Sequence, residues 1–256
     1  MRARPGLGTA ALVWFGSVAG TVLWRAAMPG GMDMPGGWQM SMAWVRMPGQ
    51  TWPGAAASFL GVWVVMMVAM MLPSLVPTLW RYRQVVGATA GTRPGPLTAL
   101  VGAGYFFVWA GFGMAAFPLG AGLAAVEMRQ PALARAAPIA IGVVVLIAGA
   151  LQLTPWKARR LACFHEEPGR GSTLPADAAP AWRYGLRLGL LCAGCNAGLM
   201  TLLLVIGVMD LRAMAVVAAA ITVERLARAG ERVARAIGAV VVGAGLVLIA
   251  RAAGLA

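Results

Sequence analysis

The sequence predicts an all-α protein, a polytopic bundle of transmembrane helices with six to seven spans. Two observations carry this prediction. Hydrophobic residues make up 60% of the chain and charged residues only 11%, with a mean hydropathy of +0.77, which is too apolar for an ordinary soluble domain. The apolar runs are also close to the roughly 20 residues that cross about 30 Å of hydrocarbon. We therefore treat residues 1–256 as a single integral membrane domain.

Seven apolar runs are candidates for these spans. The first follows Arg2 and Arg4 and has no small-residue cleavage site after it, so we expect it to remain as an uncleaved span. The sixth is the weakest, because only Asp210 and Arg212 separate it from the fifth, and it is either a tight transmembrane hairpin or a re-entrant element. The runs cover residues 7–27, 55–80, 97–126, 133–155, 184–209, 211–228 and 233–251.

The distribution of basic residues predicts the orientation. The chain has 21 Lys and Arg against 8 Asp and Glu, and the basic residues are most frequent in alternate loops, which marks those loops as cytoplasmic. Lys157 and Arg225 are counted among these loop residues. The pattern predicts a membrane protein with a cytoplasmic N-terminus and the lipid bilayer as its partner. It also explains the charge without a nucleic-acid partner, since no basic patch is interleaved with stacking aromatics.

The first external loop, residues 28–53, is rich in methionine. It holds six methionines among glycines and prolines that prevent a regular helix. A Met-x-Met pattern occurs twice, as Met32 with Met34 and as Met40 with Met42. Thioethers are soft ligands that select Cu(I), so the loop is a candidate capture site. The alternative is an interfacial loop anchored by tryptophans, with methionine as adaptable filler.

The second span continues with the run WVVMMVAMMLP, residues 63–73. On a helix Met67, Met70 and Met71 share one face, and Pro73 is expected to kink the helix just beyond them. These thioethers are either metal ligands or ordinary filler of a membrane core.

The predicted cytoplasmic loop, residues 156–183, contains Cys163 and the sole histidine, His165. Thiolate and imidazole are both ligands for Zn(II) or copper, and two glutamates follow directly. The alternative is a solvated loop in which Glu166 and Glu167 offset the neighbouring arginines.

The fifth span carries a CxxC motif within its apolar sequence. Cys192 and Cys195 project from roughly one helix face, and Asn196 and Met200 continue the ridge of Cys192. Three interpretations stay open. The thiols bind a soft metal ion, they cycle as a dithiol that exchanges electrons with quinone, or they only pack.

Several motifs together resemble a family of predicted metal-binding integral membrane proteins of bacteria. They are the run at 63–73, QLTPWK at 152–157, GLLCAGCNAGLM at 189–200, and Glu224. The resemblance implies metal binding in the inner membrane, with Cys163, Cys192 and Cys195 as the site. Family members are often richer in cysteine at both places. Methionine, His165 or Asn196 would therefore have to supply further ligands here.

The sequence thus predicts a metal-binding membrane protein that captures, transfers or transports Cu(I), with zinc as a second candidate ion. No nucleotide-binding motif such as GxxxxGKT is present. The partner would be a metallochaperone on either side of the membrane or another membrane protein. A sulfur-lined route requires the second and fifth spans to be neighbours. The alternative functions are a thiol or quinone oxidoreductase and a non-catalytic scaffold subunit.

Overall fold

A computed structural model describes residues 7–27, 31–35, 38–87, 94–166, 177–208, 210–227 and 229–254. Over these residues the chain is a bundle of α-helices with one small hairpin, which confirms the all-α prediction. Six helices are long and apolar enough to cross a membrane, so the lower of the two predicted span counts fits. The helices are α1 (Leu7–Ala27), α2 (Trp52–Gly87), α3 (Pro94–Arg129), α4 (Pro131–Gln152), α5 (Pro155–Glu166), α6 (Ala178–Gly207), α7 (Leu211–Leu226) and α8 (Gly230–Ala252).

The hairpin defines one end of the bundle. Strands β1 (Met32–Met34) and β2 (Trp38–Met40) pair antiparallel, and the indole Nε1 of Trp38 donates to the carbonyl of Ala134 at 2.9 Å near the start of α4. A short 3₁₀ helix, Met42–Trp44, then leads towards α2. We call this the hairpin end and the opposite end, where α5 lies, the α5 end. The region predicted as an irregular loop is therefore partly a β-hairpin.

The weakest predicted span is the short helix α7. Its 16 residues extend over about 24 Å, less than the hydrocarbon thickness of a bilayer. Asp210 caps its start at the hairpin end by accepting hydrogen bonds from the backbone of Arg212 and Ala213. At the other end of α7, Glu224 contacts Lys157 in the first turn of α5. α7 therefore runs from the hairpin end to the α5 end although it is too short for a conventional span.

Four helices surround the main core. α3 and α6 run parallel, with Gly185 against Val101 and Gly189 against Tyr105, because glycine allows the two backbones to approach closely. α2 packs on α3, and the indole Nε1 of Trp63 donates to the carbonyl of Trp109 at 2.8 Å. α7 packs on both α2 and α6. The ring order is thus α2, α3, α6, α7, with α2 and α6 on one diagonal.

The other helices lie around this ring. α4 and α8 pack antiparallel through glycines, with Gly142 against Ile249 and Gly149 against Val242. α1 packs on α2, and its remaining surface exposes large apolar side chains such as Phe15, as expected for contact with lipid.

Three predicted boundaries differ from those of the structure. The predicted loop 156–183 contains α5, a helix of 12 residues that starts at Pro155, where a proline suits the first helical position. For the same reason α4 ends at Gln152 and does not continue to Pro155. α2 runs through Pro73 and Pro77 to Gly87 as one helix, longer than the predicted span 55–80.

The close approach of α3 and α6 predicts a specific sensitivity. The Gly185→Ala substitution places a methyl group against the backbone carbonyl of Val101, which cannot move without separating the helices. We expect a loss of about 1–3 kcal/mol in the free energy of unfolding. Gly102→Ala is the matched control, because nothing lies within 4 Å of its added Cβ. Denaturant titration of the two purified variants tests this, and equal stability would contradict the packing.

Candidate functional site

The CxxC pair lies on the inner face of α6, inside the four-helix core. Cys192 is fully buried and Cys195 is 2% exposed. The hydroxyl of Tyr105 on α3 lies 2.7 Å from the Sγ of Cys192, and the Nδ2 of Asn196 donates to the same sulfur at 3.3 Å. The two cysteines do not form a disulfide with each other. The pair predicted from spacing alone is therefore a buried dithiol with polar neighbours.

A buried polar network adjoins Cys195. The Nζ of Lys157 donates to the backbone carbonyl of Cys195 at 2.6 Å and to Oε2 of Glu224 at 2.7 Å. The Nε2 of Gln152 donates to the other carboxylate oxygen of Glu224 at 3.0 Å. Gln152 ends α4, Lys157 lies in the first turn of α5, and Glu224 lies in the last turn of α7. Three helix ends thus bring polar groups to the level of the thiols.

A guanidinium group lies next to the other thiol. The Nη1 of Arg225 donates to the Oγ of Ser74 on α2 at 3.1 Å, and its Cζ lies 3.9 Å from the centre of the Phe164 ring. The same guanidinium interacts electrostatically with Cys192 and Tyr105. A permanent positive charge therefore lies beside the dithiol, and the aromatic face of Phe164 stabilises it.

The prediction that Lys157 and Arg225 lie in loops is wrong. They are 2% and 5% exposed and lie in the core. The available signal was Glu224 next to Arg225 within an apolar helix, since charged groups in such helices usually face a partner inside the bundle. The partner itself was hidden, because Lys157 is 67 positions from Glu224 in the chain.

The methionines of α2 share the core with the dithiol. Met66, Met67 and Met71 are fully buried and Met70 is 2% exposed. They belong to one contiguous apolar cluster together with Cys192, Cys195, Met200 and Met214. α2 and α6 lie on a diagonal of the ring and are not the packed neighbours that a route was expected to need. Their buried side chains belong to the same apolar cluster, and Tyr82 of α2 stacks on Tyr184 of α6.

Helix geometry places the methionines next to the thiol site. Ser74, which accepts a hydrogen bond from Arg225, follows Met70 by four residues, or about 6 Å along the axis. Residues at this spacing lie on one face of a helix. The methionine face of α2 therefore begins one turn from Ser74, which accepts the hydrogen bond of Arg225.

The hairpin methionines divide into packed and accessible side chains. Met34 and Met40 are buried against Ala124 and Ala134, whereas Met32 is 39% exposed. The capture-site hypothesis requires accessible thioethers, and Met34 and Met40 are not accessible. The strand register puts Met32, Met34 and Met40 on one face, and most of that face packs on α3 and α4.

Met42 borders two cavities at the hairpin end. The larger is about 840 Å³ and is also lined by Met40, while the smaller is about 300 Å³ and is also lined by Met47 and Val62. Val62 is one turn before Met66 on α2. The smaller cavity therefore reaches from the accessible methionines almost to the buried ones.

Cys163 is separated from the dithiol. It is exposed on α5, while Leu161 and Phe164 of the same helix are buried. The side chain of His165 lies outside the described residues. Among the residues that the structure describes, no three His, Cys, Asp or Glu side chains group closely enough to hold a metal ion. The ligand roles of Cys163 and His165 stay predictions.

A family model described as "PpoB2: Copper chaperone" matches residues 60–248, well over half of the chain. The match covers both the methionines of α2 and the CxxC motif of α6. It supports the metal-related part of the family resemblance. No curated protein and no solved structure matches the chain.

The buried ion pair predicts a marked difference between single and double variants. Lys157→Met leaves the carboxylate of Glu224 buried with only Gln152 as a donor, and we expect a loss of about 3–5 kcal/mol in unfolding free energy. The Lys157→Met/Glu224→Gln double variant should recover most of this loss because no charge is left uncompensated.

The control for the comparison of these single and double variants is Glu231→Gln. It breaks the exposed ion pair with Arg235 on α8. We expect it to change the unfolding free energy by less than about 1 kcal/mol. Denaturant unfolding of the variants in detergent measures all three effects. If Lys157→Met were as stable as Lys157→Met/Glu224→Gln, the buried ion pair would not have the stabilising role described.

Proposed function

Because the chain belongs to the PpoB2 copper chaperone family, we propose that it binds Cu(I) between Cys192 and Cys195 and exchanges it with the methionines of α2. One observation carries the proposal: two buried thiols share a single core with four buried thioethers. Thiolate and thioether sulfur are the soft ligands that select Cu(I). A purely structural core has no need of that concentration of sulfur.

The chemistry of the two ligand types suits transfer. Each thiol that binds copper gives up its proton to solvent, so two thiols and one Cu(I) ion yield a dithiolate complex and two protons. The thioethers of Met70 and Met71 are neutral and bind without losing a proton. A methionine can therefore add to the copper before a cysteine leaves, and the ion is not released bare into the core.

The donor set also favours copper over zinc. Structural zinc sites take four ligands, chiefly cysteine and histidine. The described residues offer two buried cysteines and no third His, Cys, Asp or Glu in reach. Cu(I) is satisfied by fewer ligands, and the thioethers supplement them.

Because α2 and α6 are not packed neighbours, we propose a route in which the ion crosses the apolar cluster that the two helices share. Met32 and Met42 at the hairpin end would take up the ion, the cavity lined by Met47 and Val62 would lead inwards, and Met66, Met67, Met70 and Met71 would relay it to the dithiol. We place the hairpin end outside the cell and the α5 end in the cytoplasm of a bacterium, since arginines are frequent in the loops at the α5 end.

The exposed thiol of Cys163 at the α5 end is a candidate contact for a soluble metallochaperone. Its neighbour Phe164 packs on Arg225, so α5 connects the surface with the dithiol. His165, two positions beyond Cys163 in the sequence, is a second candidate ligand for this exchange. The α5 end would therefore be the place where copper is exchanged with a protein partner.

The dithiol predicts the stoichiometry of copper binding. Detergent-purified protein, loaded with Cu(I) and dialysed against a chromophoric Cu(I) chelator, should retain about one equivalent. Cys192→Ser/Cys195→Ser should lose it, because the hydroxyl oxygen is a hard ligand. Cys163→Ser is the matched control and should retain copper. Equal retention in all three proteins would overturn the proposal, and reversible oxidation of the pair by quinone without copper retention would favour an oxidoreductase.

The α2 methionines predict an effect on exchange. Met70→Leu/Met71→Leu conserves side-chain volume and removes two thioethers. We expect at least a tenfold slower transfer of Cu(I) from the protein to the chelator in stopped-flow absorbance. Met114→Leu on the exposed side of α3 is the control and should exchange at the wild-type rate. Unchanged rates in the double variant would remove α2 from the route.

A further inference from the structure

The two thiols of the CxxC motif differ in their hydrogen bonds. The Sγ of Cys192 lies 2.7 Å from the hydroxyl of Tyr105 and accepts from the Nδ2 of Asn196 at 3.3 Å. Among the residues that the structure describes, none forms a hydrogen bond with the Sγ of Cys195, although its backbone carbonyl accepts from Lys157. Both cysteines are at most 2% exposed, so bulk solvent does not reach either sulfur. The two thiols of one motif are therefore chemically inequivalent.

The hydroxyl of Tyr105 is held in place by the packing of α3 on α6. Gly189, about one turn before Cys192 on α6, lets the backbone carbonyl of Tyr105 approach so closely that an added Cβ would lie 2.9 Å from it. The Tyr105 side chain is fully buried, and its hydroxyl reaches Cys192. Asn196 is 1% exposed and follows Cys192 by four residues, so it shares the Cys192 face of α6. The two polar groups therefore approach the sulfur from two different helices.

Copper binding would make both polar groups hydrogen-bond donors to Cys192. A thiol can donate or accept, but a thiolate only accepts, so the Tyr105 hydroxyl must donate once the Cys192 proton has left to solvent. Hydrogen bonds to a charged acceptor are roughly twice as strong as neutral ones. Hydrogen-bonding partners of this kind fix the orientation of a metal ligand, and removal of one typically lowers metal affinity by about 10–100-fold. Cys192 has two such partners.

We propose that Tyr105 and Asn196 are positioning residues that make Cys192 the fixed ligand of Cu(I) and Cys195 the ligand that leaves first. The inference rests on the proposed function, because it requires the two cysteines to hold the ion. Rotation of the Cys192 side chain about its Cα–Cβ bond breaks two hydrogen bonds, whereas the same rotation of Cys195 leaves them intact.

This difference sets the order of events in the transfer of copper to a methionine of α2. The bond between copper and Cys195 breaks as a bond between copper and a thioether forms, and the ion stays on Cys192. The released Cys195 thiolate takes up a proton from solvent, and no electron is transferred. The two cysteines thus have separate tasks, one in holding the ion and one in passing it on.

The first test asks which single cysteine holds copper. Cu(I) affinity is measured on the purified full-length protein by competition with chelators of graded strength, so that weak binding is also quantified. We expect Cys195→Ser, which keeps the hydrogen-bonded thiol, to bind Cu(I) at least about tenfold more tightly than Cys192→Ser. Equal affinities, or the opposite order, would overturn the inference.

The second test removes the hydrogen bonds to Cys192. Tyr105→Phe deletes the hydroxyl and keeps the ring, and we expect the Cu(I) affinity to fall about tenfold in the wild type and in Cys195→Ser. In Cys192→Ser the same change should leave the affinity unchanged, because the sulfur that Tyr105 positions is gone. General damage to the fold would lower the affinity in all three proteins. Asn196→Leu removes the other donor at similar volume and should depend on the background in the same way.

Tyr82→Phe is the matched control, because it deletes the hydroxyl of another buried tyrosine. Tyr82 is 1% exposed on α2 and stacks on Tyr184. The control should leave the Cu(I) affinity unchanged in every background, and thermal unfolding checks that all variants are folded. Unchanged affinity in both Tyr105→Phe and Asn196→Leu, or an equal fall in the two single-cysteine backgrounds, would count against the inference. Absence of Cu(I) binding in the wild type would instead overturn the proposed function.

Discussion

The Lys157–Glu224 ion pair is the interaction on which the arrangement at the α5 end depends. Its two charges lie in the core and must be compensated there, since water cannot reach them. Lys157 also donates to the carbonyl of Cys195, and Glu224 accepts from Gln152. One charged contact thereby fixes α4, α5, α6 and α7 relative to each other. The position of the CxxC motif is a consequence of that constraint.

The rest of the core is apolar, and its methionine side chains are flexible and polarizable. Methionine has three rotatable side-chain bonds and a polarizable sulfur, so the α2 methionines can fill the space around the dithiol and still rearrange. Rigid contacts frame them on either side: the hydrogen bond of Trp63 to α3 towards the hairpin end, and the contact of Arg225 with Ser74 towards the α5 end. The bundle thus combines a fixed frame with adaptable sulfur ligands. That combination suits an ion that must be held and then released.

Methionines differ in burial between the hairpin end and the interior of the bundle. At the hairpin end the strand register buries Met34 and Met40 against α3 and α4 and leaves Met32 accessible, while Met42 lines both cavities. Inside the bundle four buried methionines lie on α2, and Met70 and Met71 are within about one turn of Ser74. A count of methionines in the sequence makes no such distinction. Burial and register decide which thioethers can meet an ion from outside and which can act only within the core.

The sequence by itself determined the helical class, the apolar spans and the residues rich in sulfur, because hydropathy and spacing are local properties of the chain. Only the tertiary structure decided how those residues combine. It placed α2 and α6 on a diagonal, converted the loop around Cys163 into a helix with that thiol exposed, and brought Lys157 and Arg225 into the core. The ion pair and the guanidinium beside Cys192 join segments far apart in the chain, and no local pattern encodes which buried charge will meet which partner.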